Sequence, residues 1–157
     1  MSHEKATLVD GDGFTNPARS APLVMAIDDS PIIRTVIEHT LARAGIRVIA
    51  FADGPNALRA LQEQRAPVPD LLLLDIDLPR MTGYEIVDLL RSASAYRDIH
   101  IVMLSGHTGI LDKVRSRIAG AQDYIRKPFK ASDLATLVCD RLGIPAPASA
   151  PGEIKGE

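Results

Sequence analysis

The sequence predicts an α/β fold, in which helices cover both faces of a doubly wound, five-stranded parallel sheet with the strand order 2-1-3-4-5. Three observations point to this class. Short apolar runs alternate with segments in which apolar residues recur at helical spacing. Five such strand–helix pairs follow one another, and strict alternation indicates right-handed crossovers within one parallel sheet. The central run, Leu71–Leu74, is apolar at every position, which is typical of a parallel strand covered on both faces.

Each element is predicted from its own pattern. The strands are short apolar runs, predicted over residues 23–27, 47–51, 71–74, 99–104 and 123–125. The helices carry apolar residues three and four positions apart, and they are predicted over residues 31–44, 56–64, 84–91, 110–118 and 132–142. Every predicted strand therefore leads into a helix that can cross over to the next strand.

Residues with special backbone preferences mark where some helices begin and end. Ser30 and Pro31 favour a helix start, because serine caps the free amide groups and proline fits the first turn. Gly45 and Gly120 are placed to end the first and fourth helices. Three apolar side chains of the third helix are expected to face the sheet, namely Ile86, Leu89 and Leu90.

The length and composition indicate one globular domain with a short segment on either side. The chain has 157 residues, enough for one substantial core. Residues 1–21 and 144–157 lack apolar periodicity, and they are predicted to be a flexible arm and tail around a domain at 22–143. No second domain is expected after residue 143, so neither a DNA-binding nor an enzymatic output module is expected.

Charge and cysteine content argue against several classes of protein. The net charge is −2 and the basic residues are scattered, so neither nucleic acid nor a membrane surface is an expected partner. The single cysteine, Cys139, cannot form an internal disulfide and is expected to be buried. The chain shows no signal peptide and no run near the roughly 20 apolar residues of a membrane span, so a cytoplasmic location is expected.

Polar side chains follow four of the five predicted strands. Asp28 and Asp29 follow the first strand, and Asp75 follows the third. Ser105 follows the fourth strand, and Lys127 comes shortly after the fifth. Because the carboxyl ends of parallel strands share one edge, where doubly wound sheets bind their ligands, these residues are predicted to converge on one pocket.

This set of groups suits metal-assisted phosphoryl transfer. Three adjacent carboxylates repel one another, and a hard divalent cation such as Mg²⁺ would relieve the repulsion through oxygen ligands. A carboxylate can accept a phosphoryl group. The metal, Lys127 and Ser105 could then neutralise the three equatorial oxygens of the transferred group. The predicted chemistry is therefore transfer of a phosphoryl group to an aspartate.

Several segments at these positions form a set with characteristic order and spacing. They are Ile27–Ser30, Leu73–Pro79, Met81–Gly83, Leu104–Gly106, and Gly120 with Asp123–Phe129. Together they resemble the receiver domain of response regulators, the CheY-like family, over residues 22–143. The resemblance implies a flavodoxin-like fold and a signalling protein that is switched by phosphorylation.

The resemblance assigns roles to the acidic residues of the pocket. Asp75 would be the phospho-acceptor and also a ligand of Mg²⁺. Asp29 would bind Mg²⁺ directly and Asp28 mainly through water, while Asp77 would contribute its backbone carbonyl. Asp77 and His107 occupy the two positions that tune the lifetime of the phosphoryl group, which varies within the family and is left open here.

Three further residues would respond to phosphorylation. Lys127 would pair with the phosphoryl oxygens, and the Lys127–Pro128 peptide bond is expected to be cis. Ser105, in place of the commoner threonine, would hydrogen-bond the phosphoryl group as the switch hydroxyl. Tyr124, expected with Ser105 at the ends of neighbouring strands, would turn inward when Ser105 moves.

The resemblance also implies partners. A histidine kinase or a phosphotransfer protein would supply the phosphoryl group, and the output would be binding to a downstream protein or onward transfer. The expected output surface is the fourth helix, fifth strand and fifth helix, where Lys113, Arg117 and Arg126 would suit an acidic partner. The same surface could pair two receivers in a homodimer. The protein would catalyse only its own phosphorylation and dephosphorylation.

Two other functions stay open at this point. A pseudo-receiver would share the fold and act as a scaffold without phosphorylation. A haloacid-dehalogenase-like phosphatase would use an Asp-x-Asp motif, which Asp75-Ile76-Asp77 mimics. That family carries its nucleophile on the first strand, whereas this motif is on the third. Labelling by a small phosphodonor in the presence of Mg²⁺ would separate the three functions.

Overall fold

A computed structural model of the chain describes residues 20–106 and 110–148. The strands of this part are β1 (Leu23–Ile27), β2 (Arg47–Phe51), β3 (Leu71–Asp75), β4 (His100–Ser105) and β5 (Asp123–Arg126). The helices are α1 (Pro31–Ala42), α2 (Gly54–Gln62), α3 (Gly83–Ser92), α4 (Ile110–Ala119) and α5 (Ala131–Leu142). The strands form one sheet in the order β2-β1-β3-β4-β5, and every neighbouring pair is parallel. The predicted fold class and strand order are confirmed.

Both faces of the sheet are buried. Successive side chains of a strand point to opposite faces, so each strand contributes to both. In β1, Met25 and Ile27 pack on one face, while Val24 and Ala26 pack on the other. The residues of β3 and β4 divide in the same way, and all five residues of β3 are buried. The central strands therefore read as continuous apolar runs in the sequence rather than as alternating patterns.

The helices cover the two faces in separate groups. On the first face, α2 and α3 contribute buried residues such as Ala57 and Ile86, and α4 lies beside α3 and β5. On the second face, α1 and α5 contribute Leu41 and Leu134. Cys139 is buried in this second group, as expected. The sheet is thus enclosed on both sides, which leaves its edges and loops for function.

Polar side chains cap three of the helices at their amino ends. Ser30 accepts a hydrogen bond from a backbone amide one turn further on, as predicted for the start of α1. Asp53 and Thr82 cap α2 and α3 in the same way. The predicted start of α2 at Asn56 is therefore two residues late. The first two residues of α2, Gly54 and Pro55, lack the apolar periodicity from which the helix was predicted.

One side chain predicted to face the sheet lies at the surface. Leu89 of α3 is 47% exposed, whereas Ile86 and Leu90 are buried as predicted. At 3.6 residues per turn, Leu89 lies about 100° around the helix axis from Leu90. The buried face of α3 is completed by Val87 instead.

Some predictions fall outside the described residues. These are the tuning residue His107, and the flexible arm and tail except for residues 20–21 and 144–148. Within the described ranges, none of the helices combines the length and the apolar character needed to cross a membrane.

Candidate functional site

The three predicted carboxylates meet at the carboxyl edge of the sheet. Asp28 and Asp29 follow β1, and Asp75 is the last residue of the neighbouring strand β3. One carboxylate oxygen of each residue lies within 4.8 Å of the other two. Asp28 and Asp75 are only 0% and 4% exposed, whereas Asp29 is at the surface. The sheet therefore brings together two carboxylates with little access to water and one that solvent can reach.

Asp28 is held by a hydrogen bond at each of its polar groups. Its amide donates to the carbonyl of Phe51 at 3.1 Å, and its carbonyl accepts from Arg34 at 2.7 Å. Its Oδ1 accepts from the amide of Ser30 at 2.9 Å, and its Oδ2 accepts from Lys127 Nζ at 2.5 Å. Asp28 is therefore a fixed point of the site.

Lys127 lies between the two buried carboxylates. Its Nζ is 2.5 Å from Asp28 Oδ2 and 3.3 Å from Asp75 Oδ2, so the shorter contact is with Asp28. Burial disfavours the charged form of this lysine, but the hydrogen bond to Asp28 and the charge of Asp75 outweigh burial and raise the pKa of Lys127. The ammonium group therefore stays protonated, ready to neutralise negative charge at Asp75.

The carboxyl group of Asp75 is in an environment that disfavours its anion. Burial raises its pKa, and the charge of Asp28 raises it further. Lys127 and the amide of Asp77, which donates to Asp75 Oδ1 at 3.1 Å, oppose this shift without cancelling it. A cation bound beside Asp75 would favour the ionised form, which is the form that can act as a nucleophile.

The segment after Asp75 is held close to the strand that it leaves. Gly83, the first residue of α3, donates its amide to a carbonyl at the start of this segment at 2.9 Å. No side chain could be accommodated there, because a Cβ atom on Gly83 would lie 2.6 Å from the carbonyl oxygen of Asp75. Arg80 has a φ of 67°, in the left-handed region, and it donates to Asp53 Oδ2 at 2.8 Å. These contacts hold the turn that carries Asp77 beside the pocket.

Ser105 and Tyr124 lie on neighbouring strands but at different levels. Ser105 is the last residue of β4, is fully buried, and pairs with Arg126. Tyr124 pairs with Met103. The expectation that both residues end their strands is therefore wrong for Tyr124, because β5 continues for two more residues. Side chains two positions apart on a strand share a face, so Ser105 and Tyr124 still lie on the same face of the sheet, about 7 Å apart along the strands.

The peptide bond between Lys127 and Pro128 is cis, as predicted. In the same segment, the amide of Lys127 donates to the carbonyl of Ser105 at 2.6 Å. The backbone of Lys127 is thus tied to the end of β4 while its side chain reaches the carboxylates.

Two features around the pocket were not identified from the sequence. Arg34 occupies an ordinary polar position of α1, and its contact with Asp28 depends on the angle at which α1 leaves β1. Asp53 and Arg80 are 27 positions apart, and no local pattern links them. Contacts of this kind leave no periodic signal in a single sequence.

The donor groups of the pocket fit a hard divalent cation. Their three carboxylate oxygens, within 4.8 Å of one another, are the ligand type that Mg²⁺ prefers. Asp29 is accessible from solvent, which gives an ion a route of entry. Asp28 already accepts two hydrogen bonds through its carboxylate, which suits contact through water better than direct ligation.

Comparison with known proteins finds a matching family profile, similar sequences and a similar fold. The sequence profile described as the response regulator receiver domain matches residues 24–139. The chain is 37% identical over 111 residues to protein PilG of Pseudomonas aeruginosa, covering 71% of this chain and 80% of PilG. It is 37% identical over 119 residues to the DNA-binding response regulator MtrA of Mycolicibacterium smegmatis, covering 76% of this chain but only half of MtrA.

A solved structure also resembles the fold. The chemotaxis protein CheY4 of Vibrio cholerae superposes on this chain with a TM-score of 0.69 at 35% sequence identity. The superposition covers 76% of this chain and 98% of CheY4. The similarity therefore extends over about three quarters of this chain and nearly all of CheY4.

Proposed function

Since this chain belongs to the response regulator receiver family of two-component systems, we propose that Asp75 accepts a phosphoryl group from a histidine kinase or a phosphotransfer protein. The profile match over residues 24–139 includes every residue of the pocket. The observation that carries the proposal is the surroundings of Asp75. Two further carboxylates have oxygens within 4.8 Å, and Lys127 Nζ lies 3.3 Å away.

In the proposed reaction, a carboxylate oxygen of Asp75 attacks the phosphorus atom of a phosphohistidine. The new O–P bond forms as the P–N bond breaks, and the donor histidine leaves with the electron pair and takes up a proton. Lys127 moves from Asp28 towards the phosphoryl oxygens and neutralises part of their charge. Ser105 hydrogen-bonds another of these oxygens.

The proposed Mg²⁺ ligands rest on the three clustered carboxylates and, for Asp77, on the resemblance to receiver domains. Asp29 and Asp75 would hold the ion directly, together with the backbone carbonyl of Asp77. Asp28 would contribute through water, because Lys127 already engages Oδ2 of this carboxylate. When bound, Mg²⁺ supplies positive charge that offsets the repulsion among the carboxylates and the phosphoryl group.

Labelling by a small phosphodonor tests the acceptor assignment. Wild-type protein with acetyl phosphate and Mg²⁺ should take up about one phosphate per chain, stable in acid and labile in base. Asp75→Asn should abolish labelling, because an amide is a poor nucleophile. Asp77→Asn is the matched control and should still be labelled, since its proposed contribution is a backbone carbonyl. Full labelling of Asp75→Asn, or phosphate mapped to Asp77, contradicts the assignment.

The same experiment separates the receiver from the two alternatives. A pseudo-receiver scaffold would take up no phosphate at any Mg²⁺ concentration. A haloacid-dehalogenase-like phosphatase would turn over a range of phosphomonoesters and retain little label. We propose that this protein catalyses only its own phosphorylation and dephosphorylation, and that it acts in the cytoplasm, as is typical of the receiver family.

The proposed output surface consists of α4, β5 and α5. A groove of about 170 Å³ between α4 and β5 is lined by Lys113, Arg117 and Tyr124, among others. Tyr124 connects this groove to the pocket, because it lies on the same face of the sheet as Ser105. The two exposed cations suit an acidic segment of a downstream protein, or a second receiver in a homodimer.

Amide-shift mapping with beryllofluoride, a mimic of the phosphoryl group, tests this surface. Large shifts should appear at the pocket and spread through residues 105–127 of the wild-type protein. Tyr124→Ala should weaken the spread beyond the pocket while the pocket shifts persist. Shifts that stay within the pocket loops, or that spread to α1 and α2 instead, contradict the proposed route.

A further inference from the structure

We infer that Arg34 is a positioning residue for the metal-binding carboxylates, a role that rests on the proposed function. Its guanidinium donates from Nη1 to the carbonyl oxygen of Asp28 at 2.7 Å. Arg34 lies on α1, six positions after Asp28, and is half-buried. The contact therefore links the first helix to the peptide unit that joins Asp28 to Asp29.

The carbonyl of Asp28 needs a partner that the sheet does not supply. Asp28 lies one residue beyond β1, and its amide makes the last hydrogen bond to β2, at Phe51. Beyond Phe51 the chain turns away towards α2. Asp28 is fully buried, so its carbonyl has little access to water, and an unpaired buried carbonyl is costly. Arg34 provides the missing donor.

A hydrogen bond on this carbonyl also acts on Asp29. The peptide unit is planar, so holding the carbonyl oxygen of Asp28 orients the amide and Cα of Asp29 as well. The carboxylate of Asp29 is exposed, whereas that of Asp28 is fixed by Ser30 and Lys127. Arg34 thus restrains the part of the backbone that would swing Asp29 away from Asp75.

Positioning and simple charge compensation predict opposite effects for this arginine. Among the described residues, no carboxylate lies within ion-pairing distance of Arg34. A cation near the pocket repels Mg²⁺, so removing its charge alone would make Mg²⁺ bind more tightly. Removing its hydrogen bond loosens the ligands, so that Mg²⁺ binds more weakly. The sign of the change in affinity therefore identifies the role.

The test is a Mg²⁺ titration of three variants, followed by amide chemical shifts because the chain contains no tryptophan. Arg34→Met removes the charge and the donor, and it should raise the dissociation constant about tenfold. Arg34→Lys restores a charged donor and should stay within about threefold of wild type. Arg43→Met is the matched control, since Arg43 is exposed at the far end of α1, about 13 Å along the helix axis. It should leave the affinity unchanged.

Two further readouts keep the inference separate from overall stability. The rate of acetyl phosphate labelling should need more Mg²⁺ for half-saturation in Arg34→Met, with little change at saturating Mg²⁺. Without metal, amide hydrogen exchange at Asp29 and Ser30 should be faster in this variant than in wild type. Arg34→Gln, too short to reach the carbonyl, replaces Arg34→Met if the latter does not fold, with the same expected loss.

Several results would overturn the inference. One is Mg²⁺ binding in Arg34→Met that is as tight as in wild type, or tighter. Another is weaker Mg²⁺ binding in Arg34→Met that is equally weak in Arg34→Lys. If the wild-type protein itself binds no Mg²⁺, the proposed metal site fails. In that event, hydrogen exchange at Asp29 and Ser30 still decides whether Arg34 orders this peptide, because that measurement needs no metal.

Discussion

Two clusters of charged side chains lie at opposite edges of the sheet and differ in how their charges balance. The pocket cluster, at the carboxyl edge, consists of Asp28, Asp29, Asp75 and Lys127. The distal cluster, at the amino ends of β4 and β5, consists of His100, Asp123 and Arg141. The first has three carboxylates around one cation, whereas in the second the carboxylate of Asp123 lies between an arginine and a histidine. Arg141 also contacts the exposed carboxylate of Asp140.

The distal cluster satisfies its carboxylate completely. Arg141 donates to both carboxylate oxygens of Asp123, at 2.8 Å and 2.9 Å, and His100 Nε2 lies 2.6 Å from Oδ2. The hydrogen bond from Arg141 lowers the pKa of Asp123, and although burial acts in the opposite direction, His100 lowers the pKa further. This anion is therefore stabilised without any bound ion, and it ties β4, β5 and α5 together.

The pocket cluster shows the opposite shift in pKa. Burial raises the pKa of Asp75, and Lys127 does not fully compensate. The comparison shows that one sheet can use complete pairing for stability at one edge and leave pairing incomplete at the other. Incomplete pairing costs stability, but it leaves room for a cation and a phosphoryl group to bind reversibly.

The largest expected effect that separates the clusters is stabilisation by Mg²⁺. At a concentration about 100 times the dissociation constant, Mg²⁺ should add about 2.7 kcal/mol to the free energy of unfolding. Asp29→Ala should remove this gain, because it deletes an accessible ligand. Asp123→Asn should keep it. Urea denaturation with and without Mg²⁺ measures the difference, and a full gain in Asp29→Ala would refute the metal site.

Neutralising one aspartate in each cluster should change stability in opposite directions. Without Mg²⁺, Asp75→Asn should raise the free energy of unfolding by about 1 kcal/mol, because it removes a buried anion while Lys127 stays paired with Asp28. Asp123→Asn should lower it by about 1 kcal/mol, because the partners of Asp123 lose a solvent-screened ion pair. Urea denaturation at neutral pH in the presence of a chelator measures both. If both variants changed the free energy of unfolding in the same direction, the proposed difference in charge balance between the two clusters would be contradicted.

The same variants should respond differently to pH. The pKa of Asp75 is raised above its ordinary value of 3.8. Ionised Asp75 therefore lowers the free energy of unfolding above its folded pKa, and this cost vanishes below about pH 3.8. The pKa of Asp123 is lowered. The stabilisation from its ionised form is therefore fully present above about pH 3.8 and is lost as the pH falls through its folded pKa. The advantage of Asp75→Asn over wild type should therefore shrink on acidification before the deficit of Asp123→Asn does. Denaturation from about pH 7 to about pH 3.5 without Mg²⁺ gives both curves; the reverse order would contradict the assigned shifts.

The smallest expected effect concerns salt. Arg141→Met should destabilise the protein less than Asp123→Asn does, because Arg141 is at the surface and His100 still contacts Asp123. At 1 M salt, where the Debye length is about 3 Å, the difference from wild type should shrink further. Thermal unfolding at low and high salt measures this. A difference that does not depend on salt would point to lost packing by the arginine stem.

Much of the fold and pocket could be predicted because the relevant signals are local. A run such as Leu71–Leu74 is apolar throughout because both faces of the strand are covered. Burial on both faces could therefore be inferred from the run alone. Asp28, Asp29 and Asp75 could be placed together because parallel strands share their carboxyl edge. Predicting that they converge required only the strand order, and the strict alternation of strands and helices restricts the possible orders.

Predictions failed where the outcome depended on a small geometric difference. Leu89 lies between Ile86 and Leu90 in the sequence, and the rotation of α3 about its own axis decides which of these side chains faces the sheet. The level of Tyr124 depends on the register between β4 and β5, and a short polar strand such as Asp123–Arg126 specifies its register weakly.

By itself, the sequence determined the order of elements, the faces of the central strands and the set of residues at the carboxyl edge. Only the tertiary structure decided which individual hydrogen bonds and ion pairs form. Lys127 pairs with Asp28 across 99 positions, and Asp123 pairs with Arg141 across 18. Arg91 of α3 donates to the carbonyl of Gly120, 29 positions away. The reason is physical: a hydrogen bond depends on distances of tenths of an ångström and on angles, which are set only when the helices pack on the sheet.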